Sequence, residues 1–141
     1  MENQGGKLMT LLTSGNWNST TQRGITGKVY DFMCEKFPQI STVDIEVHQK
    51  DLREDGVFGW CEVDEDGEYF IQIHNKCLDD VYVTTLIHEL VHVKQTIGGL
   101  LDDERREEEA DIWEKILRKE YFERECDKIH VVTASPSPLF P

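Results

Sequence analysis

Residues 84–95 read Thr-Thr-Leu-Ile-His-Glu-Leu-Val-His-Val-Lys-Gln. Val83, Leu86, Ile87, Leu90 and Val91 recur at helical steps and lay a broad apolar surface along one side. His88 and His92 stand four residues apart, so they share a helical face, with Glu89 beside them. Polar rings on an otherwise apolar helix need a partner, because burying them without one is costly. A shared metal ion is such a partner. In the spacing His-Glu-x-x-His two ring nitrogens reach one ion while the glutamate stays free to handle a proton.

The helix carrying this motif is predicted from about Asp79 to Ile97. Asp79 or Asp80 is expected to cap its first amides, and Gly98-Gly99 to stop it. Its β-branched residues make it a weak helix by propensity, so packing must hold it. Upstream, Val43, Ile45 and Val47 alternate with Asp44, Glu46 and His48. Residues 57–63 and 68–74 repeat the alternation, separated by Asp64-Glu65-Asp66-Gly67. Period-two alternation between glycine turns predicts a small, mainly antiparallel sheet. An earlier helix is expected over about Thr26 to Lys36, with Val29, Tyr30, Met33 and Phe37 as its apolar stripe and Pro38 ending it. A charged helix follows the motif over about Asp102 to Cys126, with Ala110, Trp113, Ile116, Leu117 and Tyr121 on one side. The predicted class is α+β, with the sheet packed on the motif helix and the glutamate-rich helix after it.

The chain has 141 residues, 38% of them hydrophobic, with three Trp and six Phe, which suits one domain with one core. Residues 24–128 form that predicted domain. Residues 1–23, rich in Gly, Asn, Ser and Thr, read as a mobile arm from which Leu8, Leu11, Leu12 and Trp17 could dock. Residues 129–141 hold three of the four prolines and read as an extended tail. A net charge of −13 argues against a nucleic-acid binder, which needs a basic footprint. No run of apolar residues is long enough to span a membrane, and the first residues make a poor signal peptide, so a cytoplasmic location is expected. Cys34, Cys61, Cys77 and Cys126 form no paired metal-binding spacing and read as free thiols, with a Cys61–Cys77 disulfide open if their strands pair.

A catalytic zinc usually takes three protein ligands and leaves a position for water. Past His92 the chain enters Glu107-Glu108-Glu109-Ala110-Asp111. Glu107 and Asp111 are i,i+4 partners, and small Ala110 lets this helix approach its neighbour. Glu108 is the rival ligand, about 100° around the helix. A third histidine is not available at the HExxHxxGxxH spacing, since positions 95 and 98 are Gln and Gly.

These residues resemble the gluzincin metallopeptidases, especially minimal single-domain members, over about residues 40–125. His88-Glu89-Leu90-Val91-His92 fits their HExxH pattern, and Glu107 to Asp111 fits the ExxAD pattern on the next helix. Two features depart from the larger members: the chain is too short for their helical lower domain, and Arg106 stands where they carry Asn. The resemblance implies a zincin-like fold, one zinc ion, Glu107 as third ligand and Asp111 as the carboxylate that orients a ligating imidazole. It also implies that strand 68–74 lies along the cleft and pairs with an extended peptide. Glu89 would then be the general base for hydrolysis of a peptide or protein substrate.

A further donor to the developing oxyanion is expected, with His74, Tyr82, Tyr121 and His130 as candidates. His48 reads as a surface residue. Two other functions stay open. One is hydrolysis of a non-protein amide such as a cell-wall amide. The other is a non-catalytic, zinc-stabilised domain that binds a protein. So small a domain also leaves room for an activating or regulatory protein partner that completes the cleft.

Overall fold

The computed structural model describes residues 11–134, with side chains through residue 127. Along them run β1 (Leu11–Gly15), α1 (Thr20–Lys36), β2 (Ile45–Lys50), β3 (Gly59–Val63), β4 (Tyr69–His74), α2 (Asp79–Ile97) and α3 (Asp103–Ala134). The class is α+β: a four-stranded mixed sheet with three α-helices.

Alternation places Ile45 and Val47 of β2 and Ile71 and Ile73 of β4 in the core. Val29 and Met33 of α1, Leu86, Ile87 and Leu90 of α2, and Ala110 and Leu117 of α3 join them in one cluster. α2 lies between the other two helices and packs on both. Ala110 is fully buried, as expected of a small residue at a close helix crossing. Phe37 meets Trp113 edge-on at 5.1 Å and ties the end of α1 to α3. Ile116, expected on the buried stripe of α3, is half exposed. It sits one position from buried Leu117, on the outward side of the helix.

The sheet corrects the expectation of a mainly antiparallel arrangement. Strand order is β1-β2-β4-β3. β1 runs parallel to β2 and β2 parallel to β4, while only β3 is antiparallel, paired with β4. The helix α1 between β1 and β2 is the crossover that a parallel pair requires. Residues 11–23 are therefore part of the fold and not a free arm: they supply an edge strand and the start of α1. Ser19 caps that helix, its hydroxyl accepting from the Gln22 N–H at 3.1 Å. The expected docking of Leu11 and Trp17 agrees with their packing on the core, whereas Leu12 is exposed. The expected extended tail is corrected over residues 129–134, where α3 continues to Ala134; Leu8 and residues 135–141 lie outside the described residues.

The strand nearest the cleft is also corrected. β4 is interior, between β2 and β3, so β3 is the edge strand on that side of the sheet and β1 the one on the other. In an antiparallel pair, alternate residues bond to the partner strand and the rest face away. The His74 N–H donates to the Phe58 carbonyl at 2.7 Å and the Asp64 N–H to the Glu68 carbonyl at 2.9 Å. With Gly59 opposite Ile73, the even-numbered residues bond inward. The backbone groups of Gly59, Cys61 and Val63 therefore face the open edge.

Gly59 lets this edge strand sit directly on α2. A Cβ there would lie 2.6 Å from Thr85 Cγ2 and 3.0 Å from the Gln72 carbonyl oxygen. Gly59→Ala is expected to cost about 1–3 kcal/mol as overpacking and to lift β3 from the helix. A matched pair of urea unfolding curves measures this, and unchanged stability would mean that the contact yields freely.

The helix ends match the sequence in part. Gly98 caps α2 and Gly99 takes the left-handed conformation, φ 81°, at its stop. At the start, Leu78 occupies the cap position without a side-chain bond, and one of the two expected aspartates serves a first-turn amide. Asp80 accepts from the Val81 N–H at 2.9 Å, while Asp79 accepts from the Gln22 side chain at 3.0 Å. Both carboxylates still face the positive end of the helix dipole. All four cysteines are free thiols, so Cys61 and Cys77 form no disulfide.

Candidate metal centre

Helical spacing brings the His88 and His92 rings together, their Nε2 atoms 3.2 Å apart. Glu107, in the first turns of α3, reaches across to both. Its Oε1 lies 3.2 Å from His88 Nε2 and its Oε2 3.0 Å from His92 Nε2. Zinc bonds of about 2.0–2.1 Å at tetrahedral angles would place ligand atoms roughly 3.3 Å apart. The two ring nitrogens are close to that edge length apart, and one atom from each of His88, His92 and Glu107 lies within 4.8 Å of the others, so the donor set suits zinc in chemistry and is close enough to share one ion. Among the described residues, two groups have atoms close enough for one ion: His88, His92 and Glu107, and His88, Asp111 and Glu114. Glu108, the rival ligand, belongs to neither.

A ligating imidazole needs its other nitrogen held. His88 Nδ1 lies 2.9 Å from Glu114 Oε1 and 3.8 Å from Asp111 Oδ1. The closer carboxylate at this ring is thus Glu114, which sequence reasoning passed over. Its signal was present: Glu107, Asp111 and Glu114 follow the i, i+4, i+7 spacing of one helix face. Spacing alone does not rank the last two. His92 Nδ1 lies 2.7 Å from the side-chain oxygen of Gln95.

Electrostatics separate the two rings. Burial works against a charged His88, but Glu89, Glu114 and Glu107 together outweigh it and raise its pKa. Burial holds His92 below the usual histidine value, which favours the neutral form that binds metals. Glu89 is in neither candidate ligand group. It is 6% exposed, and burial pushes its pKa up to about 7 against the opposing pull of His88. It packs below the β3 edge, its Cγ 3.7 Å from where a Gly59 Cβ would stand. Here a carboxylate is held beside the candidate metal site and close to the neutral range where a proton acceptor works best.

Of the expected oxyanion donors, His74, Tyr82 and Tyr121 are buried within the fold. His74 is buried, and its Nδ1 accepts from the Leu52 N–H at 3.0 Å, which pins the loop after β2. Tyr121 is a core residue, edge-on to Phe32 at 5.5 Å. The Tyr82 hydroxyl is hydrogen-bonded to Thr26 in the interior. His130 falls outside the described side chains. His48 is half-buried, with its ring against Phe70 at 5.6 Å. If Tyr121 serves the core alone, Tyr121→Phe is expected to leave catalytic turnover within twofold of wild type, roughly the resolution of a rate comparison. A loss of about a hundredfold, the size of a removed oxyanion donor, would return Tyr121 to the site.

The chain matches no protein-family model, no curated protein and no solved structure. The functional reading therefore rests on its side chains.

Proposed function

We propose that this chain is a zincin-like peptidase that hydrolyses peptide bonds with one zinc ion held by His88, His92 and Glu107. The observation that carries the reading is the meeting of two imidazole nitrogens and a carboxylate at 3.0–3.2 Å beside a buried glutamate outside the ligand set. A purely structural metal would not need such a proton acceptor. When bound, zinc supplies a Lewis acid that makes water acidic and polarises an amide carbonyl. Glu89 accepts the proton of the attacking water and returns it to the leaving amine nitrogen. Glu114 holds His88 from behind with a hydrogen-bonding carboxylate.

The open edge of β3 supports a peptide substrate. Gly59, Cys61 and Val63 offer outward N–H and carbonyl groups to an extended backbone. Gly59 abuts Glu89, so a strand added there would run past the base. An antiparallel edge strand over the HExxH helix, with a glutamate helix following it, supports the zincin-like reading of the fold.

The test is a metal count by mass spectrometry together with cleavage of a denatured protein and a mixed peptide pool, with and without a chelator. One zinc per chain and chelator-reversible cleavage are expected. Zinc without peptide cleavage would shift the reading to a non-protein amide or a zinc-stabilised binding domain. A chain that binds no zinc would end it.

A further inference from the structure

We propose that Gln95 is a positioning residue for this centre: it fixes the tautomer of His92 and the register of the two ligand-bearing helices. This rests on the metal reading above. A neutral histidine has one N–H and one lone pair, and whatever accepts the N–H decides which nitrogen faces an ion. For His92 that neighbour is the Gln95 side chain, 2.7 Å from Nδ1.

An amide could present either its oxygen or its nitrogen to the ring. Here the remaining contacts settle it. The other end of the Gln95 side chain lies 3.0 Å from the backbone carbonyl of Arg106 and 2.9 Å from Glu109 Oε1. Both are acceptors, so the amide NH2 must face them. Turned around, the amide oxygen would meet two oxygens with no proton between them. The amide oxygen therefore faces His92, Nδ1 carries the proton, and the Nε2 lone pair points at Glu107 and His88.

The same side chain ties α2 to α3. Gln95 is 2% exposed and lies three residues after His92, in the last turns of α2. Its two acceptors, Arg106 and Glu109, flank Glu107 on α3. One buried amide thus orients one ligand and anchors the helical turn that carries another. A solvent-exposed glutamine at this point of the motif could do neither.

The experiment uses the full chain and zinc alone. Zinc affinity is measured by competition with a chelating dye for wild type, Gln95→Leu, Gln95→Glu and Gln95→Glu with Glu109→Gln. Imidazole 15N NMR reads the His92 tautomer of the wild type with and without zinc. Gln95→Leu is expected to weaken zinc binding about 10- to 100-fold, the usual effect of losing a partner behind a ligand. Gln95→Glu places a carboxylate against Glu109 and should also bind less tightly. The double variant restores a donor opposite that carboxylate and should recover part of the affinity, which general loss of packing would not produce.

The wild-type His92 is expected to carry its proton on Nδ1 both with and without zinc. Wild-type affinity in Gln95→Leu would overturn the proposal alone, as would a His92 protonated on Nε2 in the metal-free chain. A wild type that binds no zinc overturns this proposal and the metal reading together. If Gln95→Leu does not fold, the double variant and the wild-type spectra still decide.

Discussion

Glu89→Gln is expected to keep one zinc per chain and to lose peptide hydrolysis by about 100- to 10,000-fold, the range of a general acid–base group. The two halves of this result come from separate observations. Zinc should stay because Glu89 is in neither ligand group, and the replacement has nearly the same shape. Turnover should fall because an amide cannot accept the proton that the buried carboxylate is proposed to take. The change also removes a charge that burial disfavours, so the fold should not suffer. Measuring metal content and cleavage rate on one preparation checks both halves. Undiminished turnover in a zinc-loaded Gln variant would remove Glu89 from the mechanism.

The second large effect separates two adjacent glutamates. Glu107→Ala should weaken zinc binding by more than the approximately 10- to 100-fold that follows loss of an outer partner. Glu108→Ala should leave it within twofold, about the limit for a side chain that touches no ligand. Glu107 spans both Nε2 atoms with its two oxygens, whereas Glu108 belongs to neither ligand group. A chelator-competition titration reads both variants. Equal, small losses would place the third donor on another residue.

Much of this centre was legible in the chain. The period of Val83, Leu86, Ile87, Leu90 and Val91 predicted the buried face of α2, and all five are buried. The four-residue step of the histidines predicted their shared side. The start of α1 was misplaced for a physical reason. Gln22 and Thr26 are polar and add nothing to an apolar stripe, yet both are buried because each finds a partner: Gln22 donates to the Cys77 carbonyl and Thr26 to the Gln22 carbonyl. Strand β1 was hidden in the same way, since Thr13 and Ser14 give a short edge strand little apolar pattern. Strand order was not legible because pairing direction depends on long-range packing, while alternation reports only which side of one strand is buried. The choice between Asp111 and Glu114 turned on helix-to-helix distance, which spacing within α3 does not encode.

The contact between His88 and Glu107 spans 19 residues of chain, whereas the pairing of Ser14 with His48 spans 34. Shorter separations cost less entropy to close. The cradle for an ion can thus assemble inside a two-helix hairpin before the longer β1–β2 crossover is secured. Captured that early, the cation would act as a folding nucleus as well as a reagent. Refolding in its presence should then be faster, and the zinc-bound protein should also melt at a higher temperature, since an ion that binds the folded state stabilises it.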